Sequence, residues 1–256
     1  MFAVRCTKRN STTLMKGLNG LATLAAQSYG PKGEALSSMN FGTAPSMSEY
    51  LRSNSEWDNP ELSLVRDRIL PLLDGYGDGV KTALILADAL YACDFTREEL
   101  AAGLAIADEC AYQYLNKAAM LHQGVLPGGG LWLLGLARPL ARKAEKNRLG
   151  SIVVEALALS VKRPLLALAA TTGLDIYDIY AQIKLMQPNQ FYSLCHLGLH
   201  GGAAKEGCIA DIPCYGIDVN RNIFCNVWEE AIVIPLETAI GCLTLAGSIC
   251  KELCNS

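Results

Sequence analysis

Asp74–Tyr91 reads DGYGDGVKTALILADALY. Its first half is turn chemistry and its second half is an apolar run of helical length. Gly77 and Gly79 bracket Asp78, and glycine permits backbone angles and close approach that a side chain would block. The amides that open the following helix, expected over Lys81–Tyr91, attract anions. Asp78 can hold a divalent metal that bridges phosphates, since magnesium favours oxygen ligands and takes few of them from protein. Lys81 can neutralise phosphate charge directly. A GDG triplet also makes ordinary tight turns, so the meaning of this stretch depends on the rest of the chain.

The chain has 256 residues, 51% hydrophobic and 18% charged, with a net charge of −3. That is enough to build a sizeable core in one or two domains. The mild acidity argues against a broad nucleic-acid surface, and small basic runs such as Lys143–Lys146 read as solvated. The opening MFAVRCTKRN lacks the apolar core of a signal sequence. The most apolar long segment, Ala231–Cys250, carries Pro235 and Glu237, so no membrane span is expected. The expected protein is soluble and intracellular. Its ten cysteines include no CxxC pair. Cys93, Cys110 and Cys242 sit among apolar residues, where reduced cysteine behaves as a small apolar side chain, and a reducing compartment follows.

Helical periodicity organises most of the remainder. Thr12 or Thr13 can cap a helix over 14–28, with Leu14, Leu18, Leu21 and Ala25 on one face and Gly30-Pro31 as its stop. The Ser-, Asn- and Gly-rich stretch 37–59 reads as loops or a weak hairpin. Helices follow at 60–73 and 81–91. Thr96 and Glu99 have capping-box spacing and open a helix that extends to about Leu121. Gly124–Gly130 is a rigid break. Helical patterns cover 131–145, 152–172 (kinked at Pro164) and 176–184. The stretch 191–225 is Gly-rich with short β pieces such as Gly216–Val219, and a last helix fits 235–254. The expected fold is mainly α with a small β component.

Several of these segments, in this order, resemble the equatorial ATP-binding domain of chaperonins, closest to the group II type (thermosome and the eukaryotic cytosolic chaperonin). Ser28-Tyr29-Gly30-Pro31-Lys32-Gly33 is similar to the family's LGPKG. Gly77–Ala83 is similar to GDGTTTA, and Gly124–Gly130 to GVVPGGG. Arg163–Ala169 followed by Thr171–Asp175 is similar to the family's IPRTLAENAGLD. Gly216-Ile217-Asp218-Val219 is similar to GIDV, and Val227–Pro235 to MWEKGVIEP. The likeness covers nearly the whole chain. It implies a helical equatorial-like domain over 1–256 that binds ATP or ADP with magnesium. The nucleotide-binding residues it implies are Tyr29, Gly30, Pro31, Asp78, Gly79, Val80, Lys81, Thr82, Gly128, Gly129, Asp218 and Ile232, with Asp78 as the magnesium ligand.

The departures from the family are equally informative. Between about 94 and 123 only a helix's worth of chain stands where the family carries its apical domain and most of its intermediate domain. The stretch Thr43–Ser48, which matches the family's NDG acid, has no carboxylate. A second family acid falls at Tyr112, with Asp108 one helical turn away as a substitute. The ribose-contacting acid is Ile234 here. Hydrolysis needs a group that orients the attacking water as well as a metal that balances charge, so the expectation is weak or no ATP turnover. A GDG-x-KT variant also occurs in the divergent Bardet–Biedl-type chaperonin-like proteins. The resemblance therefore implies a role in protein folding or complex assembly, with other chaperonin-like subunits or client proteins as partners. It implies oligomerisation or membership of a complex, and a cytoplasmic location that extends to the centrosome or ciliary base. The alternatives are an active ATPase chaperonin subunit and a structural pseudo-chaperonin that binds no nucleotide.

Two other groupings carry less. Cys195, His196, His200, Cys208 and Cys214 form the His/Cys cluster, but their spacing fits no familiar zinc site. Ser193 lies near His196 without an acid to orient it. Phe2–Cys6 and Ile249–Cys254 are modestly apolar, and an unpaired edge strand there would invite partner chains.

Overall fold

α4 (Val80–Tyr91) is the helix around which the others assemble, and every residue from Thr82 to Leu90 is buried. A helix that is apolar on all sides has to be surrounded. α1 (Lys8–Gln27), α7 (Ser151–Ser160) and α9 (Leu236–Cys254) pack around it. This computed structural model describes residues 8–38, 42–44, 46–54, 57–76, 79–93, 95–121, 123–144, 149–175, 178–179, 181–182 and 215–255. Among them the protein is mainly helical with a small strand component.

On α1 the expected stripe of Leu14, Leu18, Leu21 and Ala25 is buried. The helix starts at Lys8 rather than at a threonine cap, because no glycine or proline between 8 and 13 interrupts it. The stretch 37–59 holds the expected hairpin, β1 (Ser37–Ser38) paired with β2 (Gly42–Thr43). It also holds an unexpected helix, α2 (Met47–Ser53). Ser46 caps α2 by accepting the Glu49 amide at 3.2 Å. The Ser-x-x-Glu spacing is a helix-start signature that the polar composition of the stretch masked.

α3 (Pro60–Ile69) gives way to a 3₁₀ turn at Leu70–Leu73 instead of running on to 73. Pro71 lacks the N–H that the α-helical ladder would need there. α5 (Arg97–Leu121) opens on the expected capping box. The Thr96 amide donates to Glu99 Oε2 at 2.9 Å, and the Glu99 amide donates to Thr96 Oγ1 at 3.2 Å. The break at 124–130 contains β3 (Val125–Pro127), antiparallel to β6 (Val233–Pro235), and leads into α6 (Leu131–Ala144). The single kinked helix expected over 152–172 is two helices, α7 and α8 (Arg163–Ala170). Pro164 stands in the first turn of α8, where proline is at home, so it starts a helix rather than bending one. β4 (Tyr215–Asp218) pairs with β5 (Ile223–Asn226), with Ile217 opposite Phe224. Gly77, Asp78, most of the helix expected at 176–184, the His/Cys cluster at 195–214 and Phe2–Cys6 lie outside the described residues.

The buried side chains form two clusters. The larger runs through α1 to α7 and α9. The smaller joins Leu131, Leu165 and Leu168 to Ile217, Val219 and Val227, and so seats the β4–β5 hairpin on α8 and the start of α6. Complete burial of a leucine such as Leu18, Leu84 or Leu86 contributes roughly 1.5–3 kcal/mol. Cys110 and Cys242 are buried as expected, but Cys93 is exposed. It stands beyond the end of α4, where the helix no longer presents it to the core.

Candidate functional site

Tyr29 packs against both clusters, and beside it a pocket of about 560 Å³ opens along their seam. That volume lies within the range of small-molecule and cofactor sites. The end of α1 supplies Tyr29, Gly30 and Pro31, and the start of α4 supplies Gly79, Val80, Lys81 and Thr82. The turn into α6 gives Gly129, Gly130 and Trp132, with Leu168 from α8 beside them. The β4–β5 hairpin gives Ile217, Asp218, Val219 and Asn220, and the segment leading into β6 gives Glu230, Ile232 and Ile234.

Of the residues singled out in the sequence, Tyr29, Gly30, Pro31, Gly79, Val80, Lys81, Thr82, Gly129, Asp218 and Ile232 share this pocket. Asp78 lies outside the described residues. Gly128 is not in the lining. Its amide donates to the Ile232 carbonyl at 2.8 Å, and a Cβ there would stand 2.9 Å from the same oxygen. Glycine therefore lets the turn close onto the strand that carries Ile232 and Ile234 into the wall.

The walls are tied together by polar contacts. Tyr29 Oη and Thr82 Oγ1 are 2.6 Å apart, and Lys81 Nζ donates to the Ser28 carbonyl at 2.5 Å. Both join the end of α1 to the start of α4. Lys81 is the cation in the lining. Gly79 caps α4 in the left-handed region, with φ of 88°, and no side chain caps the helix. A helix N-terminus beside a lysine favours an anionic group. The segment before Gly77 is fixed by Ser48 Oγ, which donates to the Tyr76 carbonyl at 2.9 Å.

Asp218 is buried, and its carboxylate is already engaged. Oδ1 accepts the amides of Asn220 at 2.9 Å and Arg221 at 3.2 Å, and Oδ2 accepts Arg221 Nε at 2.5 Å. The Arg221 guanidinium holds this carboxyl below its ordinary range. Arg221 also pairs with Glu230. Asp218 therefore organises the hairpin turn.

No family model and no curated protein matches this chain.

Asp108, the substitute acid suggested by the sequence, does not reach the pocket. With Tyr112 it lines a separate hollow of about 330 Å³ against Ile240, Leu243 and Thr244 of α9. Ser46 and Met47, from the stretch 43–48 that has no carboxylate, line the pocket, and so does Ile234. Among the described residues no group of three or more His, Cys, Asp or Glu could hold a metal ion. A single carboxylate suffices for magnesium when phosphate oxygens and water complete its shell.

Sequence reasoning missed Ser46 and Met47, which the Ser46/Glu49 helix start could have revealed. It also missed Trp132 and Leu168. These are apolar residues on amphipathic helices, and only packing turns them toward a pocket.

Proposed function

We propose that this chain is a chaperonin-like equatorial domain that binds ATP or ADP with magnesium and acts in protein folding or complex assembly, with weak or no hydrolysis. The observation that supports this best is the pocket itself. Segments at 29–31, 79–82, 129–130, 217–220 and 230–234, far apart in sequence, line one volume of about 560 Å³.

In this reading the helix start at Gly79–Thr82 and Lys81 receive phosphate, and Asp78 holds the magnesium. The apolar side chains of Leu168, Ile217, Val219 and Ile232 cover the base and sugar. A bound magnesium nucleotide would supply charge for the glycine turn to close on. It would thereby bias the surface that the α1 and α4 loops present. Partners are then other chaperonin-like subunits or client proteins, in a cytoplasmic or ciliary-base setting. Among the described residues no helix is long and apolar enough to cross a membrane.

Weak turnover follows from the lining. Its described carboxylates, Asp218 and Glu230, are both paired with Arg221, so neither is poised to orient an attacking water. A scaffold that binds no nucleotide is the second reading. It is favoured by the way Lys81 and Thr82 already bond to Ser28 and Tyr29 within the protein.

Calorimetry of ATP and ADP with and without magnesium, with phosphate release followed in parallel, separates these readings. Magnesium-dependent binding without release is the expected result. Steady release would restore the ATPase reading, and absence of binding would leave the scaffold.

A further inference from the structure

Most polar side chains of the pocket are already engaged within the protein. Tyr29 and Thr82 hold each other, Lys81 holds the Ser28 carbonyl, and Ser46 accepts the Glu49 amide. Asp218 and Glu230 are both paired with Arg221. Asn220 is exposed and Thr238 half-buried, so water can serve them. Trp132 is different. It lines the pocket and is only 2% exposed, yet its indole N–H donates to no group among the described residues. The indole nitrogen is a donor only, and a tryptophan buried this deeply usually finds an acceptor for it.

Packing explains how the ring comes to be there. α6 begins directly after the turn at Gly129 and Gly130. Gly130 backs onto α8, where a Cβ would stand 3.2 Å from the Leu165 amide nitrogen. Of the next two residues, Leu131 enters the smaller core and Trp132 the larger. The ring is thus gripped at the seam between the cores, which is where the pocket opens. Its nitrogen is not among the side-chain polar atoms sealed off from solvent, and the opening that Trp132 borders is the pocket.

We propose that the Trp132 indole N–H points into the pocket and donates to a phosphate oxygen of the bound nucleotide. This rests on the nucleotide reading above and adds a ligand-holding residue to it. The acceptor is a phosphate oxygen because α4 and α6 both turn their N-terminal ends to the pocket, through Gly79 and through Gly129 and Gly130, and such ends favour anions. A charged oxygen also makes the stronger hydrogen bond. An unpaired buried donor destabilises the unliganded chain, and phosphate removes that cost on binding.

The chain has three tryptophans, so a proton–nitrogen correlation spectrum holds three indole N–H signals. Trp132→Phe identifies one of them by its loss. Where that variant does not fold, Trp57→Phe and Trp228→Phe identify it by elimination. On titration with magnesium ADP the Trp132 signal is expected to move downfield, farther than the other two. Calorimetry should show Trp132→Phe binding magnesium ADP about tenfold more weakly. Benzothienylalanine at position 132 keeps the ring size and replaces N–H with sulfur. It should weaken binding to the same extent, which a purely packing role would not produce. Heat of binding with the Trp132 signal unmoved, or parent affinity in the benzothienylalanine protein, would overturn this inference and leave the nucleotide reading standing. Absence of both heat and signal change would overturn the two together.

Discussion

Lys81, Gly79 and Asp78 carry the charge logic of the proposed site. Asp78→Ala should weaken magnesium-dependent nucleotide binding at least tenfold by calorimetry. Tyr112→Ala should change it little, because Tyr112 borders a different hollow. Intact metal-dependent affinity in Asp78→Ala would show that the magnesium assignment is wrong. Gly79 is required for its conformation as well as its size. At φ of 88° an L side chain is strained, and its Cβ would collide with Cys242 Sγ. Gly79→Ala is therefore expected to destabilise the fold by about 1–3 kcal/mol, measured as a lower urea midpoint at unchanged slope. The helix start at Gly79 was legible from the sequence, because an apolar run of helical length begins directly after a glycine turn. The occupation of Asp218 by Arg221 was not legible. It depends on a hairpin turn that folds residue 221 back onto 218.

Helix ends show how an element reaches the site. Ser46 both caps α2 and lines the pocket, so losing the cap should loosen a wall. Ser46→Ala should lower stability by about 1 kcal/mol, and exchange of the α2 amides should speed up in hydrogen-exchange measurements. On α4, Asp88 is buried beside the Asn19 amide and Arg163, each 3.3 Å away at its closest. Burial pushes its carboxyl up, while Asn19 and then Arg163 pull it partly back. The folded protein thus binds this proton more tightly than the unfolded chain. Its contribution to stability falls as pH rises from the ordinary carboxylate range through the folded value, and is constant above that. Asp88→Asn should therefore gain on the parent between acid and neutral pH, a trend urea titrations at both pH values would reveal. A constant difference would contradict it. Apart from α2, the helices were readable from periodicity, whereas boundaries at Lys8, Leu70 and Val161 were not. Those are set by prolines and neighbours whose effect on the chain depends on where the next element packs.

For the molecule as a whole, a ligand that binds only the folded state raises stability by about 2.7 kcal/mol at a hundredfold excess over its dissociation constant. Magnesium ADP should therefore raise the melting temperature by roughly 5–10 °C, and magnesium alone should not. An unchanged melting temperature at saturating nucleotide would favour the scaffold reading. Composition, helical periodicity and turn chemistry determined by themselves that the chain is mainly helical. They also determined α4 as a mostly apolar helix and 79–82 and 29–31 as special turns, because these properties are local. Only the tertiary structure decided that these turns meet β4–β5 and β6 around one pocket. It also decided that Asp108 faces a different hollow, and that Trp132 borders the pocket from within the larger core. Each of those outcomes depends on how elements far apart in sequence pack against one another, and no sequence window spans that distance.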